Sequence, residues 1–219
     1  MTTPHPPPPP SPLWTAAVAL LYDDAPAQIT GTPQNWPRWQ ELLPHVLAVT
    51  THPDRADPST AAGQDHHVVG AEVAWLLDRA ATYLQVRGQP AAAQPLAERA
   101  LAITEAALDP DHPDLALRLG TLAVILKDLG KAEQARPLAE RALAITEAAL
   151  GPDHPTVAIR LVTLATILAD LGQITAARPL AERALTIHEV ARGPDHPTTL
   201  WTRGVHDELT AAEDEEVCS

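Results

Sequence analysis

The stretch PLAERALAITEAALDPDHP at 95–113 returns as PLAERALAITEAALGPDHP at 137–155 and, more loosely, as PLAERALTIHEVARGPDHP at 179–197. The copies lie 42 residues apart, and the first two differ only at Asp109 against Gly151. Repetition this regular belongs to architecture before it belongs to chemistry. Between the copies the apolar residues recur with a helical period. Leu115, Leu119, Leu122, Ala123, Leu126 and Leu129 form one stripe over 113–130, which Gly130 stops. Ala135, Leu138, Ala139, Ala142, Leu143, Ile145, Ala149 and Leu150 form a second, wider stripe over 132–150.

Shifting by 42 residues predicts three helical hairpins, at about 71–108, 113–150 and 155–192. Neither helix of such a hairpin can bury its apolar face alone, so the hairpins must stack. A fourth copy begins at 197–212, where Arg203, His206 and Asp207 stand in place of Leu161, Leu164 and Ala165. These polar residues suit a capping helix whose outer side meets water. Pro95, Pro137 and Pro179 sit inside each second helix and predict a repeated bend near its start.

Upstream the pattern loosens. Residues 13–69 read as degenerate helices and a loop: LWTAAVALLY (13–22), turn-rich TGTPQNWP (30–37), a helix over WPRWQELLPHVLAVTTH (36–52), and the loop PDRADPSTAAGQD (53–65). The proline-rich 1–12 and the acidic 213–219 are expected to be disordered.

The paired helices carry small residues at Ala123 and Ala165, Gly130 and Gly172 at the turn, and Ala135 and Ala177 after it. In this they resemble tetratricopeptide repeats, and the AERALAI…GPDHP signature looks like the 42-residue variety of kinesin light chains and many bacterial proteins. The resemblance covers about 70–212 and implies an all-α, right-handed solenoid of antiparallel hairpins. The segment 36–52 is similar to the region that opens the repeats in NB-ARC-type signalling ATPases. No G-x-x-x-x-G-K-[ST] accompanies it to cradle phosphates.

A formal net charge of −13, with 15 scattered basic residues, disfavours nucleic acid, which requires lysine and arginine gathered on one face. Residues 1–12 lack the basic start and apolar core of a secretory signal, and no run approaches a membrane span of about 18 apolar residues. The lone Cys218 permits no intrachain disulfide. A soluble, cytoplasmic protein is expected.

Catalytic signals fail on their chemistry. In GPDHP, Gly151 can end a helix, Pro152 prevents its continuation, Asp153 or His154 can cap the next helix, and Pro155 suits its first position. Zinc would need three or four ligands at one point, whereas His112, His154 and His196 come from successive repeats. HEVAR at 188–192 has Arg192 where a zinc-protease helix needs its second histidine, and DHH at 65–67 reads as a solvated loop. Ser11, Ser59 and Ser219 all fall in loop or tail segments, so no Ser-His-Asp arrangement is expected. Neither an enzyme nor a cofactor is expected.

In tetratricopeptide repeats the concave surface is lined mainly by the first helix of each pair. Carried onto this chain, the resemblance implies three inward rows: Trp75, Leu117, Ile159 and Trp201; Asp78, Gly120, Val162 and Gly204; and Thr82, Val124 and Thr166. An apolar strip of this kind marks a groove for an apolar peptide, a partner helix or a second copy of the chain. In a register shifted by one residue, the same side chains pack between hairpins instead. Light-chain-type repeats often carry paired asparagines that clamp a peptide backbone. The corresponding pairs here are Asp78 with Arg79, Gly120 with Thr121, and Val162 with Thr163, which cannot act as two amides. The expected function is a protein-interaction module binding a peptide or protein, with possible self-association; the alternative is a sensor subunit of a signalling system without its own ATPase.

Overall fold

A computed structural model describes residues 12–51 and 64–217. The proline run before Pro12, the loop residues 53–63, Ser11, Ser59, Cys218 and Ser219 lie outside the described residues. The described residues form α-helices joined by short turns, with no strand among them. The chain divides into two compact units, Met1–Pro110 and Asp111–Ser219.

In the second unit the helices are α5 (Pro113–Asp128), α6 (Ala132–Leu150), α7 (Pro155–Asp170), α8 (Ile174–Arg192) and α9 (Pro197–Val217), numbered after the four helices of the first unit. Each packs on the next, and α7 also packs on α5 and on α9. This is the stacking rule of a solenoid, and the fold is an all-α solenoid of helical hairpins. The core comes from the predicted stripes: Leu115, Leu119, Ala123 and Leu126 on α5 are buried, as are Ala135, Ala139 and Ala142 on α6. Alanines three and four residues apart give α6 a smooth face, so its neighbours approach closely. The stripe ends sooner than predicted: Ala149 and Leu150 are exposed. α6 is longer than α5, 19 residues against 16, and its last three residues are exposed.

The turns follow from glycine and histidine. Gly130 and Gly172 adopt φ of 70° and 71°. Each closes a Schellman motif, with Gly130 N–H donating to Lys127 O at 2.8 Å and Lys131 N–H to Leu126 O at 2.9 Å. In GPDHP the cap is the histidine. Nδ1 of His112, His154 and His196 accepts from the N–H of Asp114, Thr156 and Thr198, each at 3.2 Å. The prolines at 95, 137 and 179 stand sixth in their helices, which continue through them. The carbonyl that each leaves without its usual donor belongs to an exposed residue, Ala91, Glu133 or Thr175, where water is at hand.

Asp109 against Gly151 now has a physical meaning. Gly151 leaves α6 at φ 84°, ψ 158°, a region open essentially to glycine alone. With Asp109 at the same place, the first copy ends its helix one residue earlier by the repeat, and Leu108 turns the chain at φ −123°, ψ 158°. Gly151→Asp is therefore expected to lose about 1–3 kcal/mol. A Cβ at Gly151 meets nothing within 4 Å, so the loss is purely backbone strain. Asp109→Gly is expected to cost only a few tenths of a kcal/mol, through the freer unfolded chain. Urea unfolding of the two variants measures the contrast.

The first unit holds α1 (Pro12–Asp24), a 3-10 turn (Pro33–Asn35), α2 (Trp36–Thr51), α3 (Gln64–Val86) and α4 (Pro90–Ala107). Because α3 starts at Gln64, Asp65, His66 and His67 are helical rather than in the predicted loop. Similarly, α9 reaches Val217, beyond the expected end at 212, so 213–217 is helix and not a disordered tail.

Both α1 and α2 pack on α3. The residues of α2 repeat the pattern of a second helix, with Trp39, Leu42, Val46 and Thr50 buried at the places of Ala93, Leu96, Ala100 and Thr104. Thr50 Oγ1 donates to Val46 O at 2.8 Å, as Thr104 Oγ1 does to Ala100 O. Arg99 of α4 donates to the Thr50 carbonyl, much as Arg183 of α8 reaches back to Glu147 and the Pro152 carbonyl. The pair α1–α2 is thus a diverged hairpin of the same design.

Candidate functional site

The three predicted rows do not share one environment. In the first unit, the Trp75 ring meets Tyr22 of α1 edge-on, with centroids 4.8 Å apart, and is half-buried. Asp78 is fully buried; its carboxylate accepts from Arg79 Nε at 3.1 Å, and Arg79 Nη1 donates to the Ala27 carbonyl at 3.2 Å. The bond from Arg79 to the Ala27 carbonyl fastens the connection after α1 to α3. Thr82 Oγ1 donates to the Asp78 carbonyl at 2.9 Å, one turn back in its own helix.

In the second unit, Gly120 and Val162 are buried. A Cβ built on Gly120 would lie 2.0 Å from Arg160 Nη1, so the glycine makes room for the arginine of the next hairpin. The row of Asp78, Gly120 and Val162 is therefore packed, and only its last member, Gly204, is exposed. The row of Leu117, Ile159 and Trp201 is more open: Leu117 is half-buried, Ile159 is 40% exposed and Trp201 is 55% exposed. Beside Trp201, Leu200 is 50% exposed. Val124 and Thr166 are half-buried.

None of the positions of the family's paired asparagines offers a free amide. Thr121 and Thr163 donate to Leu117 O and Ile159 O, at 3.2 and 2.9 Å, within their own helices. Among the predicted row positions of this unit, the large apolar side chains left most accessible are those of Ile159 and Trp201.

Sequence reasoning missed two features. It took the HEVAR segment as a failed zinc motif, whereas His188 is fully buried against α9. It also gave Gly120 to an open row and did not see Arg160 covering it; a small residue opposite a long one in the next copy was the available signal. Among the described residues, no three His, Cys, Asp or Glu side chains converge as metal ligands. No helix among them is long and apolar enough to cross a membrane.

The fold defines a helical-repeat scaffold. The tetratricopeptide repeat model matches residues 72–148 and 117–189, which together exceed half of the chain. The chain belongs to the tetratricopeptide-repeat family. Solved structures share the fold at low identity. A Podosopora anserina putative kinesin light chain with nearly identical TPR-like repeats is 21% identical, with 92% of this chain and 89% of that one covered and a TM-score of 0.63. A glutamine-to-methionine variant of the same repeats is 20% identical, with coverage of 92% and 88% and a TM-score of 0.65. BtubC (BKLC) from P. vanneervenii is 17% identical, with coverage of 86% and 68% and a TM-score of 0.56. No curated protein matches the sequence. The repeats make the chain a protein-interaction scaffold in its general class, and the fold is that of a non-catalytic interaction module.

Proposed function

We propose that the protein is a non-enzymatic adaptor that captures an apolar peptide or partner helix on the first-helix face of its second unit. The observation that carries this reading is the run of Leu117, Ile159 and Trp201, one from each successive first helix, with Ile159 and Trp201 left substantially exposed. Large apolar side chains in register across a repeat array are costly to leave in water and serve as anchors for a partner. Trp75 does not extend this surface as a probe, because its ring packs on Tyr22. The alternative, a sensor subunit of a signalling system, rests on the 36–52 resemblance. The structure gives that segment a packing task on α3.

The test is selection of peptides from a display library on the purified protein, followed by affinity measurement on Ile159→Asp and Trp201→Asp. Selected peptides are expected to be apolar and to bind each variant at least about tenfold more weakly, with helicity unchanged, which corresponds to the loss of about 1.4 kcal/mol or more at an anchor. Peptides that bind both variants as tightly as the parent would remove this face from consideration.

A further inference from the structure

The last hairpin breaks the repeat at one buried position. Thr50, Thr104 and Thr146 hold equivalent places in α2, α4 and α6, each donating to the carbonyl one turn back, the last at 2.6 Å to Ala142 O. In α8 that place belongs to His188, which has no exposed surface. Its ring reaches across to α9, with Nδ1 2.9 Å from Thr202 Oγ1, and Thr199 Oγ1 donates to the His188 carbonyl at 3.4 Å. Thr199 and Thr202 are themselves fully buried, where the preceding hairpin has Val157 and Arg160.

The hydrogen bonds place a proton on Nδ1, and burial favours the neutral ring. Thr202 has one hydroxyl proton and donates it to the Thr198 carbonyl at 2.9 Å, so its oxygen accepts from Nδ1–H. Among the described residues Nε2 has no partner at hydrogen-bonding geometry, and the Pro155 carbonyl, which favours the charged ring, only partly offsets the effect of burial. A second proton there would place a charge on a ring that has no exposed surface. We propose that His188 makes the docking of α9 sensitive to pH: the neutral ring holds α9 on α8, and protonation releases it, uncovering the apolar face of Val157, Ala158, Val162 and Ile187.

The groups around the ring favour this behaviour. Burial pushes the His188 pKa down from the ordinary 6.5; the Pro155 carbonyl of α7 pulls in the opposite direction, and Arg192 of α8 and His196 before α9 add to the downward shift. From α9, Arg203 is paired with Glu189 of α8 at 2.7 Å, Glu213 with Arg178 of α8 at 2.5 Å, and His206 lies 3.2 Å from Asp207 of its own helix. On α7, the Arg160 guanidinium lies against Gly120 of α5, and Asp170 stands at the far end of the helix. Because the folded state binds the proton less readily than the unfolded state, docking is at full strength above the ordinary histidine value and weakens as pH falls below it.

The experiment is hydrogen exchange of the full-length protein at about pH 7.5 and 5.5, with times scaled for intrinsic rates. Amides of α9 are expected to exchange about tenfold faster at the lower pH, relative to α5 and α6. In His188→Thr, which restores the residue of the other hairpins, that acceleration should vanish. Equal α9 protection at both pH values, or the same acceleration in His188→Thr, overturns the proposal. Should His188→Thr already free α9 at neutral pH, His188→Gln is read by the same criterion. Should that variant free it too, an NMR titration of the unmodified protein decides. The His188 ring and α9 amides must then change with one midpoint, and separate midpoints overturn the proposal.

Discussion

Trp39→Ala is expected to remove about 3–5 kcal/mol from the stability of the first unit. The indole is fully buried, stacks on Tyr83 with centroids 6.3 Å apart, and donates Nε1–H to the Pro26 carbonyl at 2.9 Å. Truncation leaves a cavity the size of an indole and takes away the Pro26 carbonyl's donor. The equivalent places on later second helices hold Ala93, Ala135 and Ala177, all fully buried. Thus Trp39 fills by itself a space that regular repeats close by bringing helices together. Urea unfolding followed by far-ultraviolet circular dichroism measures the loss, since fluorescence would change with the mutation itself. A loss below about 1 kcal/mol would mean that α2 does not belong to the folded core.

Leu161→Ala is expected to cost about 2–5 kcal/mol in the second unit. Leu161 is fully buried in a cluster with Val157, Ala158, Val162, Ala184 and Ile187, and Leu119 is equally buried one repeat earlier. The third member of the series, Arg203, is partly exposed and paired with Glu189. Arg203→Ala is therefore expected to cost less than about 1 kcal/mol. One structural position thus yields two very different losses, set by whether the side chain is buried in an apolar cluster or partly exposed beside a carboxylate. Stacked repeats can unfold in parts, so a helix-wide signal should be compared with a local one before a single free energy is assigned. Similar losses for Leu161→Ala and Arg203→Ala would contradict the difference in burial between these two positions.

The legible part of the fold was the part that repeats. Period, stripes, glycine turns and proline starts all point to the same helices over 113–192, and the structure has them there. Where local signals agree across copies, chance agreement is excluded by repetition itself. Two kinds of feature were less readable. The diverged hairpin α1–α2 replaces alanines with Trp39 and Val46, so its burial phase survives while its residue signature does not. The candidate surface depends on which side of a first helix is covered by the next, and a periodic apolar stripe contains both covered and open positions. Leu119 and Leu117 are two residues apart; the former is fully buried and the latter is not. His188 was read in the frame of its neighbours in sequence, although its meaning lies in Thr199 and Thr202 of the helix packed against it.

The near-identity of 95–113 and 137–155 also bears on how the chain reaches its structure. Two helices with the same surface compete for the same partners during collapse, and tandem repeats misassemble by that route, within one molecule or by exchange between two. The second helices α4 and α6 carry almost no information over this stretch about which hairpin they belong to. That information lies in mismatched steps between the first helices, such as Gly120 under Arg160, where a wrong neighbour leaves either a hole or a clash. The irregular residues of this repeat therefore act as its address labels, keeping interchangeable parts in order while the regular ones supply the cohesion.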